Sequence, residues 1–167
     1  GGSDTAVAHY REALRIRPNF PEALNGLAIE LMMNDATRPE AIEYFQKATE
    51  LRPQFFMFHS NLGQTLAMVP GREPEAEVAL ETAIRLQPDY VPAHFHLGVL
   101  LGRNSAYHRR AIEHLKKVLF HRPNSADAHA ALGEVLAQSA NTRQNGFLHI
   151  VFSHIRLFQI VRNIDQR

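Results

Sequence analysis

Ten histidines are the residues of this 167-residue chain best suited to chemistry. Three of them, His59, His94 and His129, recur at intervals of 35 residues. Regular imidazoles raise metal ligation first, which needs nitrogens about 2.0–2.1 Å from a shared ion. If the interval marks a structural repeat, equivalent side chains on stacked helices stand roughly 10 Å apart, too far for three to converge. His94 and His96 leave different sides of one helix, and neither His-x3-His nor HExxH occurs. No metal and no cofactor are therefore expected. The three imidazoles read as flat, half-buried fillers whose titration would loosen the packing at mildly acid pH. Nucleophilic chemistry fares no better. GxSxG, a P-loop, GxGxxG and a carboxylate cluster are all missing. With no cysteine, disulfides and thiolate chemistry drop out together. Asp35, Asp89 and Asp127 fall at expected helix ends and read as caps. No catalytic residue is assigned, and the chain is expected not to be an enzyme.

The elements that hold these residues follow from the repeat itself. Pro18, Pro53, Pro88 and Pro123 share the 35-residue spacing, and four segments align when started at 21, 56, 91 and 126. Their fourth positions read Leu24, His59, His94 and His129. The seventh is always leucine (Leu27, Leu62, Leu97, Leu132), and so is the eleventh (Leu31, Leu66, Leu101, Leu136). The eighth is always small: Ala28, Gly63, Gly98 and Gly133. Spacings of three and four place these on one helical face, and the small residue admits a neighbouring helix closely. A second helix follows in each unit, marked by Ala41, Phe45 and Ala48, by Ala76, Leu80 and Ala83, and by Ala111, Leu115 and Val118. Ala6, Tyr10 and Ala13 fit the same template, so the chain opens on a second helix.

Along the chain, the spacing predicts a helix from Asp4 or Thr5 to about Arg17, then one capped by Asn19 that ends near Asn34. Thr37 and Pro39 start its partner. The next unit runs from about Gln54 to Val69, breaks at Pro70-Gly71, and resumes from Pro74 to Gln87. Asp89 and Pro92 open the third unit, which turns at Gly102–Ser105 and closes near His121; Ser125 caps a helix that fades around Ser139. Eighteen basic and 17 acidic residues leave a net charge of +1, which argues against nucleic acid as a partner. No run of 18 uncharged apolar residues is present to span a bilayer, so membrane association is not expected. The lack of a basic-then-apolar leader favours the cytoplasm, although Gly1-Gly2-Ser3 reads as a cloning remnant that could have replaced one.

This ordered set of landmarks, covering roughly residues 5 to 139, resembles the tetratricopeptide repeat. Two departures stand out: units of 35 residues rather than 34, and His or Leu where the family prefers Trp at the fourth position. The resemblance implies an all-α, right-handed superhelical solenoid of antiparallel helix pairs. It divides the chain into a half repeat 4–18, full repeats 21–53, 56–88 and 91–123, a fourth first-helix 126–139, and an irregular apolar segment 140–167.

It also implies that first helices line a concave groove through their second, fifth, ninth and twelfth positions. None of the sixteen residues so placed is Lys or Arg, so the clamp by which chaperone-binding relatives hold a terminal carboxylate is absent. The sixth position, Gly26, Asn61, His96 and Ala131, forms no ladder of asparagines. The groove is instead apolar in its middle, with Ile29, Met32, Met57, Phe95 and Val99, and polar at Asn25, Ser60, Asn61 and Gln64. Such a patch suits an extended or helical peptide with apolar anchors, the amides fixing its backbone; the competing reading packs Met57 and Phe95 on neighbouring repeats. In the closing segment, Phe147, Val151, Phe152, Ile155 and Phe158 belong to an apolar stripe too wide for one neighbour, read as a capping helix or a homo-oligomer contact. The expected function is a non-catalytic scaffold or adaptor for a protein or peptide. The alternatives are the substrate-recognition arm of a larger enzyme such as a glycosyltransferase, and a self-assembling structural module.

Overall fold

Proline opens most of the helices. Pro21, Pro39, Pro74 and Pro92 each sit in a first turn, where the missing N–H has no intrahelical acceptor to lose and φ is already helical. A computed structural model describes residues 2–141 (Ser3 by its backbone only), and the regular structure within them is helical. The helices are α1 (Gly2–Ile16), α2 (Pro21–Leu31), α3 (Arg38–Leu51), α4 (Phe56–Leu66), α5 (Glu73–Leu86), α6 (Val91–Gly102), α7 (His108–His121) and α8 (126–141). A single 3-10 turn, Ser105–Tyr107, precedes α7. The closing-segment residues Phe147, Val151, Phe152, Ile155 and Phe158 lie outside the described residues.

The chain is an all-α solenoid. Packing is most extensive within the pairs α2/α3, α4/α5 and α6/α7, and next between sequence neighbours α1/α2, α3/α4 and α5/α6. Leu27, Phe45, Leu80, Leu97 and Leu115 are wholly buried and belong to one core running through the stacked units. Each such side chain contributes about 1.5–3 kcal/mol by leaving water. The small eighth residue works by proximity. A Cβ added at Gly63 would stand 2.6 Å from Leu80 Cγ, and one at Gly98 would stand 2.8 Å from Leu115 Cγ. At the same position in α8, Gly133 has no described heavy atom within 4 Å.

Helix ends depart from the expected caps. Asn19 does not cap α2; Phe20, Phe55 and Tyr90 occupy the N-cap positions of α2, α4 and α6 without a side-chain cap bond. Ring packing replaces capping there. Arg17 lies 3.6 Å over the Phe20 ring, Phe55 meets Phe58 edge-on at 4.5 Å, and Tyr90 meets Phe56 at 4.7 Å. Ser125 does act as expected, its Oγ accepting from Ala128 N at 3.3 Å. Asp89 and Asp35 are ion-pair partners rather than caps, with Lys117 Nζ at 3.1 Å and Arg38 Nη2 at 2.6 Å respectively. The turns are short because side chains take over their carbonyls and amides early. After Leu31, Thr37 Oγ1 donates to Leu31 O at 2.7 Å, and Asn34 Oδ1 accepts from Ala36 N at 3.0 Å. Asn104 does the same for Ala106 N. Gly71, at φ +85°, supplies the left-handed residue between α4 and α5.

Neighbouring units are also tied by polar bridges. Arg110 on α7 reaches Glu77 and Glu81 on α5 at 2.7 Å each, and Arg103 Nη1 donates to Ala67 O at 2.8 Å.

Candidate functional site: the face of the first helices

The first helices α2, α4 and α6 present a shared face, and its centre is an amide pair. Asn61 Nδ2 donates to Asn25 Oδ1 at 2.9 Å, joining α2 to α4. That bond spends one donor and one acceptor. An Asn25 N–H pair and the Asn61 carbonyl oxygen remain for other partners among the described residues. Around the pair, Ile29 is 44% exposed and Met57 37% exposed, so both have apolar surface to offer.

Two of the expected groove residues do not reach the surface. Met32 is 6% exposed and Ser60 2%, both within the packed interior. Met32 sits at the end of α2, where the chain turns back, and its Sδ lies 3.9 Å from Thr65 Oγ1 on α4. The helical position that would look outward in an ideal superhelix is thereby covered by the next unit.

The remaining expected residues line two small hollows on α6. Gln64 and Val99 border one of about 200 Å³, together with Ala67, His96 and Arg103. Phe95 borders another of about 210 Å³, between α6 and the start of α8, with Pro92, His96, Arg122, Ser125 and Asp127. Phe95 also packs in part on the core, so it serves stacking and lining at once. His96 shares both hollows and burial lowers its pKa from the ordinary value, which keeps the ring neutral at pH 7. Residue-by-residue reading missed His96 and Arg103 as lining groups, although the sixth-position column already carried His96 beside Asn61.

The repeating histidines have a structural task. His59 Nε2 lies 2.8 Å from Pro53 O, His94 Nε2 2.9 Å from Pro88 O, and His129 Nε2 2.9 Å from Pro123 O. Each imidazole donates across the connector to the carbonyl of its own repeat proline, six residues back. His108 makes the same reach to Gly102 O at 3.2 Å. The filler reading is corrected in part: His94 is buried, whereas His129 is exposed. Among the described residues, no group of three or more His, Cys, Asp or Glu is placed to hold a metal ion. No helix among them is long and apolar enough to cross a membrane.

Comparison with known proteins agrees with this architecture. A family profile described as tetratricopeptide repeat matches residues 40–55. None of the curated proteins matches the sequence significantly. Among solved structures, the MamA protein superposes with a TM-score of 0.72 and 25% identity, over 90% of this chain and 80% of MamA. The O-GlcNAc transferase of Thermobaculum terrenum gives 0.66 and 25% identity over 72% of this chain but only 23% of the enzyme. YrrB, described as a tetratricopeptide-repeat protein with an unusual peptide-binding site, gives 0.67 at 23% identity, over 84% of this chain and 71% of YrrB.

Proposed function

Because the chain is a tetratricopeptide-repeat protein, we propose that it serves as a protein-interaction scaffold whose first-helix face holds an extended peptide segment, without catalysis. The observation that carries this reading is the Asn25–Asn61 amide pair set beside exposed Ile29 and Met57. Spare amide groups match the alternating N–H and C=O of an extended backbone, and the apolar side chains accept anchors from the same strand. Gln64, Phe95 and Val99 prolong that surface along α4 and α6. Met32 and Ser60 contribute by packing beneath it.

The test is selection from a random peptide display library on the intact chain, followed by titration of the selected peptides. Met57→Glu, Phe95→Glu and Asn61→Ala should each weaken binding at least about tenfold, the loss expected of a central contact or a paired, half-buried amide. Selection of no peptide, or unchanged affinity in all three variants, sinks the reading.

A second reading rests on the likeness to the O-GlcNAc transferase. In that case the same face selects substrates for a catalytic region elsewhere in a longer protein. The selected peptides would then carry the acceptor residue of the reaction beside the apolar anchors.

A further inference from the structure

The third unit contains a contact that its siblings lack. His94 on α6 and His114 on α7 meet with Nδ1···Nδ1 at 2.8 Å, their ring centroids 5.1 Å apart. The residues in register are His59 and Ala79 in the second unit, and Leu24 and Tyr44 in the first. Neither of those pairs can form an imidazole–imidazole bond.

Geometry places the protons. His94 Nε2 lies against Pro88 O, and a carbonyl only accepts, so Nε2 carries the hydrogen and Nδ1 presents a lone pair. His114 Nδ1 must therefore be the donor, leaving its Nε2 unprotonated. His94 is buried and His114 half-buried, so little water competes for the bond.

We propose that the His94–His114 pair is an acid-operated latch, holding α6 to α7 while both rings are neutral and releasing the third unit as they take up protons. The first proton goes to His114 Nε2 and leaves the Nδ1–H···Nδ1 bond intact. The second has only His94 Nδ1 to occupy. There it would set two N–H groups against each other at 2.8 Å, so the rings must part. The pair therefore titrates as a unit in two steps, and the second step is the disruptive one.

The charged groups that act on the pair oppose early protonation on balance. Lys117 shares the Pro88 carbonyl with His94, its Nζ at 2.7 Å. Lys117 also engages Asp89 at 3.1 Å, which spends the carboxylate that would otherwise favour a charged His94. Arg110 and Glu113 act on His114 with opposite sign, and His121 stands 3.9 Å from Asp89. Arg110 itself is held by Glu77 and Glu81 of α5. Burial is the largest influence: it lowers both rings below the ordinary value, His114 to about 4. Unfolded rings bind protons near pH 6.5, so these protons are deferred until the unit opens. The stabilisation is fully present above about pH 6.5 and is lost progressively as the pH falls toward 4.

Amide hydrogen exchange on the intact chain, corrected for intrinsic rates, reads this directly because α4/α5 serves as an internal control. Between pH 7 and pH 5, opening of α6 and α7 should rise at least about tenfold more than opening of α4 and α5. In His114→Gln, an amide donor can still reach His94 Nδ1 but does not titrate, so the share of the excess that belongs to His114 is lost while that of His94 remains, and the excess should fall clearly. Parallel opening of both units, or an undiminished acid response in His114→Gln, overturns the latch. His96→Gln, which leaves the pair intact, removes the other imidazole of α6 whose pKa burial lowers and should keep the excess; its disappearance there would also overturn the latch.

Discussion

Three glycines at one repeat position make a sharp test of how the units are packed. Replacing glycine by alanine inside a helix gains about 0.8–1.0 kcal/mol of intrinsic propensity. Against that stands the space available. In Gly98→Ala the new Cβ would lie 2.8 Å from Leu115 Cγ and 3.0 Å from Cδ2, so the leucine must retreat by about 1 Å to reach ordinary carbon contact. Gly63→Ala is worse, because Leu80 Cγ at 2.6 Å is joined by the Ala76 backbone oxygen at 3.0 Å, which cannot swing away. Overpacking of this kind costs about 1–3 kcal/mol. The net expectation is a destabilisation of about 1–2 kcal/mol at position 63, a smaller one at 98, and a gain approaching 1 kcal/mol at 133, where no described atom lies within 4 Å. Thermal melting and urea titration of the three variants, measured in parallel, give the order. Adding Leu115→Ala to Gly98→Ala should cost less than the sum of the two single changes, because the new methyl enters the space the leucine leaves. A gain at position 63 would refute the close-packing account.

Two further outcomes follow from contacts already described. Phe45 is wholly buried at the centre of the first unit, and Phe45→Ala should cost about 3–5 kcal/mol in urea titration, the cavity being walled by helices on both sides. The Asp89 carboxyl is held below its ordinary range by the hydrogen bond and charge of Lys117. In Lys117→Met its titration, followed by carboxyl-carbon NMR, should move back up toward the ordinary value. Because the folded value is the depressed one, the pair stabilises the protein above the unfolded carboxylate range. That contribution disappears as the pH falls through the folded value.

The helix pairs were legible because the positions that define them are governed by burial alone. Leu27, Leu97, Ala28 and Gly98 recur at fixed spacing and lie in the core. Positions governed by neighbours were harder. Leu136 shares the eleventh position with the buried Leu31, Leu66 and Leu101, yet is 48% exposed, since no described second helix covers α8. Met32 and Ser60 could not be separated from the exposed Ile29 and Met57 by angular position, because stacking depth depends on the crossing of successive units. Caps were misread at Asn19 because aromatic packing at Phe20, Phe55 and Tyr90 overrides side-chain capping. The histidine–proline bonds carried a visible signal, a proline six residues before each repeat histidine, whereas the approach of His94 to His114 spans two helices and left no local trace.

The double bridge from Arg110 to Glu77 and Glu81 has a mechanical meaning. One joint upstream, the residues in register are Glu75, Ile42 and Gln46, and Glu75 is engaged within its own helix start by Arg72. That joint has no corresponding strut and instead borders an open hollow of about 500 Å³ lined by Gln46, Leu62 and Val78. A solenoid strained along its length should therefore bend where α3 meets α5 before it bends where α5 meets α7. The expected hinge thus lies toward the amino-terminal side, and the α5/α7 joint is expected to keep its pitch.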